Sequence, residues 1–286
     1  MLRTHLIAAG LVLGASTAIS AVGMPSGARA ADFPPYEATY ELRLTRASAT
    51  YGPRAAVGQY SYRVADTCDG WETKSHIVVD LTFRDDLTYT NERFFTSWEA
   101  KNGASYRFAV QTLKNSNTVE AFKGTAVINA KGGQAVYEPL ATPPKGKEFK
   151  KVTLPLPPGT LLPLAHSRAL LQHAENGDAL FRSVVLNGSY STGPRVLSVA
   201  IGPRHGEFAP PPTPEFDPKL LATANWQIST AAFNLGEKRD TPNTETAIQI
   251  HDTGIVQNFE QTFFDYALSA RLTRLQRLDA PACRKS

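Results

Sequence analysis

The sequence predicts an almost all-β fold, in which consecutive antiparallel strands build one curved sheet and a single α-helix interrupts it. Three observations predict this fold: apolar and polar residues alternate along most segments, turn-forming residues separate those segments, and helix-forming residues dominate only one stretch. Side chains along a strand point alternately to the two sheet faces, so alternation indicates strands with one dry and one wet side. Short strands joined by tight turns form antiparallel meanders rather than alternating strand–helix units.

The strands before the helix show the alternation most clearly. Residues 36–44 place tyrosine, alanine and leucine on one face and charged or hydroxyl residues on the other, and the stretch from Trp71 to Arg84 repeats the pattern. Further strands are expected near 57–64, 89–98, 105–113, 117–123, 125–129 and 134–139. Turn signals such as Asp69-Gly70 and Lys131-Gly132-Gly133 separate them and predict hairpin connections.

One helix is expected from Pro163 to Glu175. Proline suits the first helical position because its missing N–H would have no helical acceptor there, and Asn176-Gly177 supplies a C-terminal stop. Leucines within this stretch form an apolar stripe. Strands are predicted to resume near 179–186, 195–201, 225–233, 245–251, 255–263 and 266–277. The Pro-rich stretch 202–218 cannot be a central strand, so we expect an exposed loop there.

Residues 1–30 are predicted to be a cleaved secretory signal peptide. Arg3 and His5 precede an uncharged apolar stretch, and Ala28-Arg29-Ala30 offers the small-x-small pattern of a cleavage site. An uncleaved N-terminal anchor is the alternative. Cleavage leaves residues 31–286, which are long enough for one large β domain. No later stretch is long and apolar enough to cross a membrane, so stable membrane insertion is not expected.

Charge and cysteine content narrow the classes of partner and compartment. The 30 basic and 26 acidic side chains are scattered rather than clustered, which argues against nucleic acid as a partner. The two cysteines, Cys68 and Cys283, both lie beyond the predicted cleavage site. In an exported protein an even pair predicts a disulfide, with two free thiols as the alternative.

No set of residues points to catalysis, a cofactor or a metal. His166 and His173 lie seven apart and share a helix face, but no third ligand stands at the spacing that a zinc site needs. Ser189 lies in a glycine-containing segment that lacks the spacing of a nucleophile elbow and is expected to be a hairpin loop. We therefore expect a protein without catalytic residues, cofactor or metal.

Aromatic side chains are the remaining candidates for a site. They have two interpretations: they fill the core, or they line a hydrophobic lumen inside a curved sheet that could hold an acyl chain. The candidate lumen-lining residues are Phe94, Trp98, Tyr106, Phe108, Trp226 and Phe263.

Together these motifs resemble the EipB-type periplasmic cell-envelope integrity proteins of Alphaproteobacteria. The resemblance rests on residues 36–44 (YEATYELRL), 66–73 (DTCDGWET), 97–108 (SWEAKNGASYRF), 156–166 (LPPGTLLPLAH) and 264–278 followed by Cys283. It implies an antiparallel β-spiral or near-closed barrel of about a dozen strands with one main helix packed against it. It also implies a Cys68–Cys283 bridge, a role in maintaining the Gram-negative envelope, and a periplasmic tetratricopeptide-repeat protein as a genetic or physical partner. The Pro-rich stretch looks longer than in that family, and nothing is carried over to it.

The sequence thus predicts a periplasmic, non-catalytic protein that maintains the cell envelope through protein–protein contacts. A carrier of lipid or another apolar envelope component in the lumen is the main alternative. An envelope hydrolase is the third hypothesis, and it would require His166, His173 and Ser189 to converge in one pocket.

Overall fold

A computed structural model describes residues 33–140, 150–207, 215–238 and 240–283, which form one 14-stranded antiparallel sheet and one α-helix. The first eight strands are β1 Tyr36–Ala47, β2 Ala55–Asp66, β3 Gly70–Thr82, β4 Thr88–Ala100, β5 Ser105–Lys114, β6 Asn117–Asn129, β7 Gly132–Pro139 and β8 Val152–Leu156. The helix α1 is Pro163–Glu175. The remaining strands are β9 Leu180–Val185, β10 Arg195–His205, β11 Asn225–Asn234, β12 Thr244–His251, β13 Val256–Thr262 and β14 Tyr266–Arg277.

The strand order places the first and the last strand side by side in the middle of the sheet. β1 to β8 follow one another as hydrogen-bonded neighbours, β9 to β14 do the same, and β1 pairs with β14 to join the two halves. The two edge strands are therefore β8 and β9, which flank α1 in the chain. The expected antiparallel spiral is confirmed, with 14 strands rather than about a dozen.

The two edges come together at one residue without closing the sheet. Leu161, which lies between β8 and α1, forms a parallel bridge to Val185 of β9. Its N–H donates to the carbonyl of Val184 at 2.8 Å, and its carbonyl accepts from the N–H of Leu186 at 3.0 Å. These bonds pair part of the exposed edge of β9, and an unpaired edge would otherwise be a template for association with another chain.

The β1 strand shows how the alternation in the sequence becomes two faces. Tyr36 and Leu42 are buried in the interior, whereas Glu41, on the opposite face, accepts a hydrogen bond from Arg271 of β14 at 3.1 Å. Such exposed ion pairs add little to stability, so burial of the inner face provides most of the stabilisation.

The helix forms at the predicted residues and packs on the inner side of the sheet. It begins at Pro163 and ends at Glu175, after which Gly177 adopts a φ of +79°. Its buried residues are Leu164, Leu170, Leu171 and Ala174, which belong to the main core. The helix contacts β9 and β10, so it fills part of the space that the spiral surrounds.

A buried carboxylate from the sheet caps the start of this helix. Residue Leu162 at the N-cap position has no side-chain acceptor, and the carboxylate of Glu99 on β4 takes that role. Its two oxygens accept hydrogen bonds from the backbone N–H groups of Leu164 at 2.8 Å and Ala165 at 2.9 Å. Glu99 is only 2% exposed, so the cap fixes α1 to the inner face of β4.

The interior contains two hydrophobic cores. The main core lies among β1–β3, β10–β14 and α1. The second core lies on the inner face of β5–β8, where Tyr106, Phe108, Phe122 and Tyr137 pack together. Leu162 and Leu186, from the segments that flank the helix and β9, complete this second core. The seam between the two sheet edges is thus held by apolar packing as well as by the bonds of Leu161.

One prediction about strand boundaries was wrong. Residues 117–123 and 125–129 form a single strand, β6, that passes through Gly124 without a break. A Cβ at Gly124 would stand 2.2 Å from the Phe108 ring, so the glycine admits an aromatic side chain from β5 rather than ending the strand.

Two predictions fall wholly or partly outside the described residues. The signal peptide at 1–30 lies outside them, as does the 208–214 part of the Pro-rich stretch. The prediction of an exposed loop was wrong for the start of that stretch, because residues 202–205 continue β10, where Arg204 and His205 pair with Trp226 and Asn225 of β11. At its end, Phe216 forms a parallel bridge with Leu275 of β14, and Asp217 N–H donates to the Leu275 carbonyl at 2.9 Å. Within the described ranges, no helix has both the length and the apolarity to cross a membrane.

Candidate functional site

The predicted disulfide is present. Cys68 lies in the turn between β2 and β3, and Cys283 lies in the tail that follows β14; the two sulfurs are bonded and the Cα atoms are 5.6 Å apart. The bridge ties the C-terminal tail to the first quarter of the chain. The alternative of two free thiols is excluded by this geometry.

Three of the candidate lumen-lining aromatics point inward but fill cores. Tyr106 is 1% exposed and Phe108 4% exposed in the second core, and Trp226 is 1% exposed in the main core. Phe263 follows β13 at the turn before β14, where it stacks on Tyr266 at 4.8 Å and packs against the main core. For these residues core filling is the better interpretation.

The prediction that Phe94 and Trp98 line the interior was wrong. Both alternate with Glu99, which is buried on the inner face of β4, and therefore lie on the outer face. Phe94 is 39% exposed and stacks on His76 at 4.3 Å. Trp98 donates its indole N–H to Thr67 at 3.0 Å and lies under the guanidinium of Arg107. Their aromatic character suggested the same role for Phe94 and Trp98 as for the other candidates. Their positions along β4, however, place them on the outer face.

Other inward-facing side chains keep accessible surface. We call them the interior band: Tyr60, Tyr62, Ile77, Leu197, Ile248 and Phe259. They are half-buried and pack against the main core from strands β2, β3, β10, β12 and β13. These side chains therefore keep a partly accessible apolar surface on the inner face of the sheet. No local pattern in the sequence marks this band, because pairing between distant strands brings its members together.

The two tyrosines of the band lie in an apolar, aromatic environment. Tyr60 contacts Tyr40 and Phe259, with ring centroids 5.7 and 5.8 Å away, and Tyr62 lies 5.9 Å from Tyr36. Burial raises the pKa of Tyr62 to about 12 and that of Tyr60 further above its ordinary value. Both phenols are therefore neutral at physiological pH, and the band presents apolar side chains with two uncharged hydroxyl groups.

The two helix histidines come together around one aromatic ring. His166 and His173 both stack on Phe181 of β9, at 5.5 and 4.3 Å between ring centroids. His173 also pairs with Asp178 at 2.7 Å. Ser189 is not part of this cluster: its carbonyl accepts a hydrogen bond from Arg93 on β4. The described residues contain no group of three or more potential metal ligands.

A serine that sequence reasoning did not consider contacts His166. Ser183 Oγ lies 3.2 Å from His166 Nδ1, a distance typical of a nucleophile and its base. Burial lowers the pKa of His166 to about 4, so its imidazole holds a proton weakly at neutral pH. Of the side chains described, no carboxylate contacts this histidine to orient it or support a positive charge. The pair lacks the third member of a catalytic triad.

A groove of 370 Å³ crosses the outer face of β10–β13. We call it the outer groove. Its floor consists of small side chains that strand pairing places side by side: Ser198 opposite Ala231, Ala200 opposite Ser229, and Ser229 opposite Ala247. Because neighbouring positions on three strands all lack bulk, the surface is lowered there.

The two sides of the outer groove differ in chemistry. On the β9 side stands Leu180, which is 76% exposed and pairs with Ala200. On the β12–β13 side stand two exposed carboxylates, Glu245 and Glu260. The groove is thus apolar at one end and acidic at the other. The sequence shows each residue, but only the strand register reveals that they share one surface.

Fold and surfaces together define the class: an open antiparallel β-spiral wound around one helix, with an accessible interior band and an outer groove. The chain belongs to the EipB-like family, whose profile matches residues 27–279. The resemblance drawn from the sequence is confirmed.

A curated relative agrees with this assignment, and a solved structure shares the fold. The chain is 23% identical over 259 residues to the cell envelope integrity protein EipB of Brucella abortus (strain 2308), covering 90% of this chain and 89% of that protein. It is also similar in fold to a crystal structure from Brucella abortus described as a beta-barrel-like protein of a domain of unknown function. The TM-score is 0.75 at 21% identity, over 87% of this chain and 100% of the other.

Proposed function

We propose that this protein maintains cell-envelope integrity in the periplasm by binding a protein partner rather than by catalysis. The outer groove is the observation that carries the proposal. Its apolar wall and acidic rim suit a partner segment that presents an apolar side chain beside lysine or arginine. The name of the Brucella abortus relative supports the envelope role. The predicted signal peptide and the disulfide support the periplasmic location.

The absence of catalysis is part of this proposal and has its own support. The Ser183–His166 pair combines a weakly basic imidazole with no orienting carboxylate in the part of the chain that the structure describes. We therefore expect Ser183→Ala to support envelope integrity as well as the wild type does.

The partner proposed is a periplasmic tetratricopeptide-repeat protein of the same organism. A test replaces Ala247, on the floor of the outer groove, by arginine. This side chain fills the groove, and its positive charge repels the lysine or arginine that the partner is proposed to present. Thr125→Arg is the matched control, because Thr125 is exposed on the outer face of β6, far along the sheet. Each variant is expressed in a strain lacking the native gene.

We expect Ala247→Arg to fold with an unchanged melting temperature, to lose at least tenfold in affinity for the purified repeat protein, and to leave the strain sensitive to detergent. Thr125→Arg should behave as the wild type in both assays. Full complementation by Ala247→Arg would show that the groove is not the docking surface.

The interior band favours a second function, the carriage of an apolar envelope component. Its half-buried, uncharged side chains form a wall that an acyl chain could contact. We expect native mass spectrometry of protein purified from its own host to show bound acyl species. Leu197→Trp, which adds bulk to the band, should reduce that bound fraction, whereas Val127→Trp, on the outer face of β6, should not. Wild-type protein that carries no bound species would argue against this function.

A further inference from the structure

An arginine is buried in the interior without an acidic partner. Arg195, at the start of β10, is 9% exposed and lies two residues before Leu197 of the interior band, so both side chains point to the inner face. Its Nη1 lies 3.4 Å from the hydroxyl of Thr244, and its Nε has no hydrogen-bond acceptor. No described carboxylate lies within ion-pair distance of it. Burial of an unpaired charge is costly, which makes the arrangement unusual for a purely structural residue.

The guanidinium is held in place by an aromatic ring. Its central carbon lies 3.6 Å from the centroid of Tyr190, in the loop between β9 and β10. This cation–π contact covers one face of the guanidinium, whereas its N–H donors lie along the edge of the group and are not used by the ring.

A second arginine shares the same tyrosine. The guanidinium of Arg93, on the inner face of β4, lies 5.7 Å from the Tyr190 centroid and donates to the Ser189 carbonyl. Its only ion pair among the described side chains is with Glu120, at 3.9 Å. Glu120 also accepts a hydrogen bond from Ser191 at 3.2 Å. The cluster therefore holds two cations and one anion, with an excess of positive charge.

We propose that Arg195, assisted by Arg93, binds the oxyanion of a small anionic ligand, a phosphate or carboxylate group. Arginine presents several N–H donors in a planar fork that matches such groups. A bound oxyanion would supply the negative charge that the guanidinium of Arg195 lacks. Both guanidinium groups lie near Tyr190, at the end of the interior formed by the β9–β10 loop.

The rim of the site is open to solvent, and the site is separate from the outer groove. The side chains of Arg93 and Glu120 are 27% and 36% exposed, so they form an open rim beside the buried Arg195. The outer groove lies on the opposite face of β10, at Ser198 and Ala200. The proposal for the outer groove and the proposal for this site can therefore be tested independently, and either can fail without the other.

The test measures binding of three probes by calorimetry at low salt in a buffer without oxyanions. The probes are inorganic phosphate, octanoate and dihexanoylphosphatidic acid, and the proteins are the full mature chain and its Arg195→Met variant. Arg182→Met is the matched control, since Arg182 is exposed on the outer face of β9. We expect at least one probe to bind wild type and Arg182→Met equally, and Arg195→Met about 10- to 100-fold more weakly, as for a lost charged hydrogen bond.

The pattern among probes identifies the source of the oxyanion. Equal affinity for phosphate and phosphatidic acid indicates a free anion, and a marked preference for phosphatidic acid or octanoate indicates the headgroup of an amphiphile. Arg195→Met should melt no lower than the wild type without ligand, because it removes an unpaired buried charge. Should that variant not fold, Arg195→Lys keeps the charge but loses the fork, and it should bind severalfold more weakly. Absence of binding to wild type, or equal binding by Arg195→Met, overturns the proposal.

Discussion

Removal of the Cys68–Cys283 disulfide is expected to lower the free energy of unfolding by up to about 5 kcal/mol. The bridge joins residues 215 apart in the sequence, so it restricts nearly the whole unfolded chain. The chain-entropy model gives a larger effect for a longer loop, and this loop includes most of the residues that the structure describes. For a domain of this size the loss corresponds to a fall of about 10–20 °C in melting temperature.

Most of this loss should arise in the unfolded state. The N–H of Leu278 donates to the Pro35 carbonyl at 3.0 Å, but residues 279–283 beyond it are exposed. β14 is held independently by its pairing with β1 and β13. Breaking the bridge therefore frees a short tail and the β2–β3 turn and leaves the sheet intact.

The measurement compares wild type and the double variant Cys68→Ala/Cys283→Ala by thermal and denaturant unfolding. Reductant should lower the melting temperature of the wild type and have no effect on the double variant. Native-state hydrogen exchange should change first near Cys68 and in the tail, with β14 still protected. Equal melting temperatures under oxidising and reducing conditions would contradict the prediction.

Local sequence patterns predicted the strands and the helix well, because each of these patterns extends over only a few residues. The alternation of 36–44 predicted β1 and its buried face, and Pro163 with Asn176-Gly177 predicted both ends of α1. Gly124 was interpreted as the end of a strand, although a glycine within a strand can also make room for a ring from a neighbouring strand. Here the Phe108 ring of β5 occupies that space, and the sequence around Gly124 does not show it.

The candidate site was predicted less well because it depends on strand register. Phe94 and Trp98 were assigned to the interior by their aromatic character, although their positions relative to Glu99 place them outside. The outer groove exists because Ala200, Ser229 and Ala247 become neighbours across three strands. Likewise, no local feature marks Arg195 as buried, since the Tyr190 ring that covers it comes from a loop folded back over the interior.

Loss of the helix cap at Glu99 is the second large effect. Glu99→Ala should lower the free energy of unfolding by about 3 kcal/mol, because it leaves the N–H groups of Leu164 and Ala165 without their acceptor in a buried site. Glu99→Gln should cost less, since its amide oxygen can still accept from one of the two.

The same carboxylate should make stability depend on pH. Burial raises the pKa of Glu99 above its ordinary value of 4.5, although the hydrogen bonds from Leu164 and Ala165 and the charge of Arg168 oppose the shift. A raised pKa means that the folded protein holds this proton more tightly than the unfolded chain does. The stability that protonation of Glu99 contributes is therefore fully present below pH 4.5 and is lost as pH rises through its folded pKa.

Denaturant unfolding of wild type and Glu99→Gln between pH 4 and 8 tests the direction of this pH dependence. The free energy of unfolding of the wild type should exceed that of Glu99→Gln by a smaller amount as pH rises above 4.5. Glu41→Gln is the control, because hydrogen bonds from Arg43 and Arg271 lower the pKa of Glu41. The stability that ionised Glu41 contributes is therefore present above pH 4.5 and is lost as pH falls, which is the opposite of the dependence expected for Glu99. A wild-type advantage over Glu99→Gln that stayed constant across this range would mean that burial does not raise the pKa of the capping carboxylate. The cap would then act through its hydrogen bonds alone.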